Sequence, residues 1–115
     1  MTYDIALWKR EGGGFLSEAA ASDEFDRRSE ESDSRYPNYR PPMPELLRLA
    51  DLLEARFPGA ETPWEDLRDS LDGDFLYLTL GGDTYQEVED FLVSVAPGLG
   101  LVVYSPLSES VIAGP

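Results

Sequence analysis

The second half of the sequence alternates an apolar strand, an amphipathic helix and another apolar strand, and this order limits the possible folds most strongly. Residues 75–80 form a β-rich run, and residues 101–104 form a compact apolar run. Between them, residues 85–96 have helical apolar spacing, with a predicted buried stripe of Val88, Phe91, Leu92 and Val95. A strand, a helix and a strand in this order predict a parallel β-α-β crossover.

A second amphipathic helix is predicted between two prolines. Pro44 suits the first turn of a helix, and Pro58 followed by Gly59 ends the pattern. The side chains expected to face the core recur every three or four residues and are Leu46, Leu49, Ala50, Leu53 and Phe57. A further helix is predicted around residues 22–32, where large apolar side chains are few and Phe25 is the main anchor.

Three shorter patterns complete the predicted sheet. Thr2–Lys9 suits a largely buried strand, which could lie between the two crossover strands or beside them. The pair Asp72-Gly73 predicts a tight hairpin turn, and Ser110–Ala113 predicts a short edge strand or a frayed tail. The chain of 115 residues is therefore predicted to form one α+β domain, residues 1–115. Its expected architecture is a mixed sheet with helices packed on one face, containing a hairpin and a β-α-β crossover.

Missing residue types narrow the chemistry that the chain can perform. The sequence contains no histidine and no cysteine, which removes the usual general base near neutral pH, the thiolate nucleophile and sulfur-ligated zinc. What remains is carboxylate chemistry: an acid pair such as Glu65 with Asp74, or oxygen ligation of magnesium or calcium. Residues 69–74, "DSLDGD", lack the alternating ligands and terminal glutamate of a calcium hand. We therefore predict no catalytic residue, no cofactor and no metal.

The charge is strongly negative and unevenly distributed. The formal net charge is −14; residues 61–115 hold eleven acids and a single base, Arg68, whereas residues 1–60 hold twelve acids and eight bases. Few ion pairs within the second half can neutralise its acids, so we expect a negative field over part of the surface. Such a field repels nucleic acid and anionic membranes and attracts a basic protein. The simpler interpretation is that the acids only keep the protein soluble.

Residues 61–75, "ETPWEDLRDSLDGDF", gather acids around one tryptophan. Interfaces favour an aromatic anchor at their centre and charged residues towards the rim, so Trp64 is the predicted anchor. The alternative is that Trp64 packs over the edge of the core. The residues predicted to bind a partner are Trp64, Glu65, Asp66, Asp69, Asp72 and Asp74.

Both ends of the sequence resemble a family of small uncharacterised bacterial proteins. "TYDIALWK" is similar to the Tyr-Asp-aliphatic-Trp strand with which members begin, and "GLGLVVYSP" to their Gly-Leu, apolar strand and Tyr-x-Pro ending. Ser105 and Leu107 stand where the family has Asp and Gln. That family in turn resembles the α+β immunity proteins of bacterial toxin systems. The resemblance implies a protein that binds a cognate basic toxin domain through an acidic face and occludes its active site.

Two other classes of function remain open. One is a carboxylate-based metal-binding domain or small hydrolase, and the other is an acidic accessory subunit of a larger complex. The sequence contains no run of about 18 apolar residues and no basic leader before an apolar stretch, so we expect a cytoplasmic protein without a membrane span. The oligomeric state is not predicted.

Overall fold

The computed structural model describes residues 2–10, 16–58, 63–64, 67–81 and 85–115. In chain order its helices and strands are β1 (Thr2–Lys9), α1 (Glu18–Arg35), α2 (Pro44–Arg56), β2 (Leu71–Asp72), β3 (Phe75–Gly81), α3 (Tyr85–Val95), β4 (Leu101–Ser105) and β5 (Ser110–Ala113). Short 3-10 turns at Arg68–Ser70 and Pro97–Leu99 precede β2 and β4. The predicted α+β class is confirmed.

The five described strands form one sheet in the order β2-β3-β1-β4-β5, and every neighbouring pair is antiparallel. β1 lies between the two crossover strands, which is one of the two positions predicted for it. β3 and β4 therefore run in the same direction without pairing with each other, and α3 connects them. The expected mixed sheet is thus antiparallel throughout, because β1 occupies the position where a parallel pair would have formed.

Both faces of β1 are buried, and helices cover both. Ile5 and Leu7 belong to a core cluster that includes α2 and α3, whereas Ala6 and Trp8 belong to a second cluster that includes Ala21 of α1. Successive side chains of a strand point to opposite faces, so the four consecutive apolar side chains of residues 5–8 need cover on both sides of the sheet. The expectation that all helices pack on one face was wrong: α1 packs on the face opposite α2 and α3.

The helix α2 follows its sequence pattern closely. It begins at Pro44 and ends at Arg56, and its buried residues Leu46, Leu49, Ala50 and Leu53 are those predicted. The backbone N–H of Phe57 donates to the carbonyl of Leu53 and closes the last turn. The ring of Phe57 continues the apolar stripe, because it packs edge-on against the ring of Phe91 at a centroid distance of 6.0 Å.

The helix α1 is longer than the predicted residues 22–32. It begins after Ser17, whose hydroxyl accepts a hydrogen bond from the backbone N–H of Ala20, and this cap adds a turn that apolar spacing does not show. Phe25 is confirmed as its aromatic anchor, with its ring 5.3 Å from that of Tyr104 and 6.1 Å from that of Tyr77. The fully buried or nearly buried residues of α1 are the small side chains Ala21 and Ser32.

The hairpin between β2 and β3 turns one residue later than predicted. Asp72 pairs with Phe75, so the two loop residues are Gly73 and Asp74. Gly73 has a φ of 59°, which favours glycine, and glycine at the first loop position is typical of tight hairpins. A Cβ at Gly73 would lie 2.8 Å from the guanidinium carbon of Arg40. The predicted turn residue Asp72 is instead the last residue of β2.

We predict that Gly73→Ala lowers the free energy of unfolding by about 1–2 kcal/mol, because the left-handed backbone disfavours a side chain and the Arg40 guanidinium must move. Gly98→Ala is the matched control, since a Cβ there meets nothing within 4 Å and the φ of Gly98 is not left-handed. Urea unfolding followed by tryptophan fluorescence measures both variants. Equal stability of the two variants would contradict the assignment.

Candidate functional site

Trp64, the predicted partner anchor, is a core residue. It is 6% exposed, and its ring packs edge-on against the ring of Phe57 at a centroid distance of 6.1 Å. Its backbone pairs with that of Leu80 in an isolated antiparallel β-bridge, so Trp64 lies beside β3. This is the core-edge packing named above as the alternative. A partner would reach the ring only after this edge had rearranged.

Three of the predicted partner-binding acids lie on the segment before β2. Asp69 is exposed on the 3-10 turn Arg68–Ser70, where a carboxylate is accessible to a partner. Glu65 and Asp66 lie outside the described residues. The acid pair of Glu65 with Asp74, considered from the sequence, therefore lies partly outside them as well. Partner binding by Asp69 stays a prediction.

Asp72 lies inside the protein, at the centre of a charge network that joins α1 to the hairpin. Its carboxylate is fully buried and accepts hydrogen bonds from Nη2 of Arg35 at 2.7 Å and from the backbone N–H of Arg40 at 2.9 Å. The hydroxyl of the buried Ser32 also donates to it. A buried charge is tolerated only when it is paired and hydrogen-bonded. In the free chain Asp72 therefore holds the fold together and does not lie on a partner-facing surface.

Asp74 is half-buried and belongs to the same network. It accepts hydrogen bonds from Nη1 of Arg28 at 2.7 Å and from Nη2 of Arg40 at 3.2 Å. Nε of Arg28 also donates to Oε1 of Glu24 at 3.0 Å. Arginines from the first half of the chain thus neutralise the hairpin acids of the second half, which a separate charge count for each half does not show.

The surroundings of these carboxylates determine their pKa values. Burial alone raises the pKa of Asp72, but hydrogen bonds from Arg35, the Arg40 backbone and Ser32 outweigh it, so the pKa lies below the ordinary 3.8. Burial likewise raises the pKa of Asp74, and the hydrogen bond and charge of Arg28 reverse the shift and lower it. Lowered pKa values mean that both ionised carboxylates stabilise the folded state.

Other acids without a basic partner form a stripe on the outer side of α1. The α1 acidic stripe, at steps of three and four residues, consists of Asp23, Asp26, Glu30 and Asp33. All four side chains are exposed, and within the described part of the chain none forms an ion pair. The nearby Arg27 contacts Glu24 and Glu31 instead, each at 3.9 Å. The stripe is therefore a row of uncompensated negative charge.

A groove of about 440 Å³ lies beside the stripe, between α1 and the sheet. The α1 groove is defined by Phe25, Ser29 and Asp33 of α1 and by Phe75, Tyr77 and Thr79 of β3. Tyr39, from the loop after α1, also lines it. Among the described residues, those that line the groove include no lysine and no arginine. Asp33 belongs both to the stripe and to the groove, so the two features form one surface.

Tyr77, which lines the groove, is paired with an aspartate of the neighbouring strand β1. The hydroxyl of Tyr77 donates to Oδ2 of Asp4 at 2.8 Å. Burial, this hydrogen bond and the negative charges of Asp4 and Asp33 raise the pKa of Tyr77 to about 12. The phenol therefore stays protonated at neutral pH and acts as a hydrogen-bond donor. Chemically, the groove offers aromatic rings beside hydroxyl and carboxylate oxygens, which suits a cationic or polar group.

The sequence analysis did not single out the residues of this surface. Asp4 carries a signal that could have marked it, because it is an acid inside an otherwise apolar strand. Three members of the α1 acidic stripe, Asp23, Asp26 and Glu30, lie within the predicted residues 22–32, and the extension of the helix to Arg35 adds Asp33. Tyr77 carries no such signal, since a tyrosine in a strand is common.

Neither a metal cluster nor a membrane span is found in the described part of the chain. No three acidic side chains there are grouped so that they could hold a metal ion. The carboxylates of Asp72 and Asp74, in the segment that resembled a cation loop, face arginines instead. None of the described helices has the length and hydropathy needed to cross a bilayer.

Comparison with known proteins identifies no relative whose function could be transferred to this chain. No protein-family model, no curated protein and no solved structure matches it. The resemblance to immunity proteins therefore stays a prediction. The α1 acidic stripe and the α1 groove are the features of the described residues that bear on function.

We predict that Asp72→Asn lowers the free energy of unfolding at pH 7 by about 2–4 kcal/mol, because it leaves Arg35 and Arg40 without their buried counter-charge. Asparagine keeps one acceptor and Arg35 is partly solvated, so the loss is smaller than for a fully buried pair. Asp69→Asn removes the same charge from an exposed position and should stay within about 0.5 kcal/mol of the unsubstituted protein. A loss of stability in Asp72→Asn as small as that in Asp69→Asn would show that the charge network does not stabilise the fold.

The stability difference between the unsubstituted protein and Asp72→Asn should also depend on pH. Since the pKa of Asp72 is lowered in the folded state, its contribution is fully present above the unfolded pKa of about 4 and is lost as the pH falls through the folded value. The stability difference between the unsubstituted protein and Asp72→Asn should therefore narrow as the pH falls below about 4. Urea unfolding at a series of pH values measures it, and a constant difference would contradict the assignment.

Proposed function

We propose that this protein is an inhibitor of the immunity type, which binds a basic bacterial toxin domain through α1 and covers its active site. The observation that carries the proposal is the α1 acidic stripe beside the open α1 groove, with three neighbouring arginines turned towards the hairpin acids. Arg28, Arg35 and Arg40 are all engaged with the hairpin acids. On the outer side of the helix, the acids of the α1 acidic stripe form no ion pair within the described residues, because the exposed Arg27 contacts Glu24 and Glu31.

The charge supports rapid binding to a basic surface. The formal net charge of −14 produces a negative field, and the stripe concentrates part of it on one exposed side of α1. Complementary charge mainly accelerates encounter and excludes wrong partners, which suits an inhibitor that must reach its target quickly. Stripe side chains on one helix face lie about 5–6 Å apart, so they form a row of negative charges. Such a row resembles the phosphates of a nucleic-acid strand and would fit a basic cleft of the toxin that binds such a strand.

The shape of this surface supports an interface. A helix of the length of α1, Glu18–Arg35, is about 27 Å long, comparable to the width of a standard interface. Aromatic side chains lie close to its C-terminal end: Tyr36 is 71% exposed, and its ring packs edge-on against that of Tyr39 at 5.9 Å. Exposed aromatic rings beside acids are typical of an interface centre with a charged rim.

An acidic accessory subunit would use the same surface, and the identity of the partner separates the two functions. The first experiment is capture of partners from the native lysate by the tagged protein at low and high salt. Recovery of a basic toxin domain whose activity is lost in the complex is the expected result. Recovery of a subunit of a metabolic or structural complex would instead contradict the immunity function.

We predict that Asp26→Asn with Glu30→Gln weakens capture of this partner about 5- to 10-fold at low salt and reduces the salt dependence. The matched control is Glu87→Gln with Asp90→Asn, which removes the same charges from exposed positions of α3 on the other face of the sheet. The control should bind like the unsubstituted protein. An equal loss in both double variants would mean that only net charge matters and that α1 is not the interface.

A further inference from the structure

The carboxylates on the α1 side of the sheet fall into two groups with different surroundings. At the hairpin end, Glu24, Asp72 and Asp74 are each paired with an arginine. At the groove end, Asp4 and Asp33 have no cationic partner within the described ranges. Both still act on Tyr77, whose pKa their negative charges raise. The two carboxylates at the groove end therefore lack a positive counter-charge among the described residues, whereas the three carboxylates at the hairpin end each have one.

The shape and lining of the α1 groove select among possible cations. Its volume of about 440 Å³ is larger than a side chain needs, and Phe25, Tyr39, Phe75 and Tyr77 supply aromatic surfaces. Asp4 pairs in register with Thr79 of the groove, so its side chain lies on the same face of the sheet as Thr79. A guanidinium is planar, weakly hydrated and stacks on aromatic rings while donating several hydrogen bonds, whereas an ammonium is strongly hydrated. The groove therefore matches arginine better than lysine.

We propose that the α1 groove is a binding site for an arginine side chain of the partner protein. The guanidinium stacks against the aromatic wall, pairs with Asp33 at the rim and adds its positive charge beside the Tyr77–Asp4 pair. The inference rests on the proposed function for the source of the arginine, because a basic partner presents such side chains. It deepens that function by naming the residue type that anchors the complex.

The protein's own arginines are held away from this site. Arg28 and Arg35 form ion pairs with Asp74 and Asp72 at 2.7 Å. If either arginine moved into the groove, the half-buried Asp74 or the buried Asp72 would lose its counter-charge. Arg27 lies on the opposite flank of α1, beside Glu24 and Glu31. The groove thus remains open to an arginine from outside.

The test needs no partner. Nα-acetyl-arginine amide is titrated into the ¹⁵N-labelled protein, with Nα-acetyl-lysine amide and the neutral isostere Nα-acetyl-citrulline amide as comparisons. We expect saturable shifts of the backbone amides of Ser29, Asp33, Tyr77 and Thr79, at least five-fold tighter for arginine than for lysine. Citrulline should give no saturable shift. Equal binding of arginine and lysine, shifts spread over all acidic surfaces, or no saturation would each overturn the proposal.

Two variants locate the site. Asp33→Asn and Tyr77→Phe should each weaken arginine binding about five-fold or more, because the first removes the rim charge and the second the hydroxyl that organises Asp4. Asp23→Asn is the matched control, since it removes the same charge from the same stripe outside the groove, and it should leave binding unchanged. A loss in the control equal to that in Asp33→Asn overturns the site.

The two proposals fail separately. If a basic toxin is captured but binds Asp33→Asn as tightly as the unsubstituted protein, the arginine site is overturned and the proposed function stands. If arginine binds saturably and with the expected variant effects, while the captured partner belongs to a metabolic or structural complex, the groove chemistry is supported and the immunity function is not.

Discussion

The buried carboxylate of Asp72 is the contact on which the position of α1 depends. It receives Arg35 from the end of α1, the backbone N–H of Arg40 from the following loop and the hydroxyl of Ser32 from within the helix. A helix whose buried residues are small has little apolar surface with which to fix itself on a sheet. Removing Arg35 or Arg40 would take a counter-charge from this interior carboxylate, so these groups together hold the helix in one place.

The acidic surface is a consequence of the same network. Because three arginines of α1 and its loop face the hairpin, and Arg27 contacts Glu24 and Glu31, the acids of the α1 acidic stripe form no ion pair within the described residues. The α1 groove beside the helix is lined by Tyr77 and Thr79 of β3, and Asp4 lies on the same face of the sheet. The contacts that hold the fold together and the surface proposed to bind a partner therefore arise from one distribution of charge.

Most elements could be predicted because their patterns are local. The buried strand β1, the edge strand β5 and the apolar stripe of α2 all have the predicted positions, since neighbouring residues determine them. Predictions that depended on distant residues were less accurate. The hairpin loop consists of Gly73 and Asp74 and not of the predicted pair Asp72-Gly73, and α1 packs on the unexpected face. Trp64 occupies the core edge, a position that its acidic neighbours in the sequence do not indicate.

The sequence by itself determined the net charge, the absence of histidine and cysteine, and the kinds of helix and strand that form, because these properties belong to single residues or short segments. Tertiary structure alone decided which acids are neutralised. Arg28 meets Asp74 across 46 residues of sequence and Arg35 meets Asp72 across 37, and only the folded chain brings these charges together. Charge is summed along a sequence, whereas its neutralisation depends on distance in space, so the stripe and the groove follow from the fold.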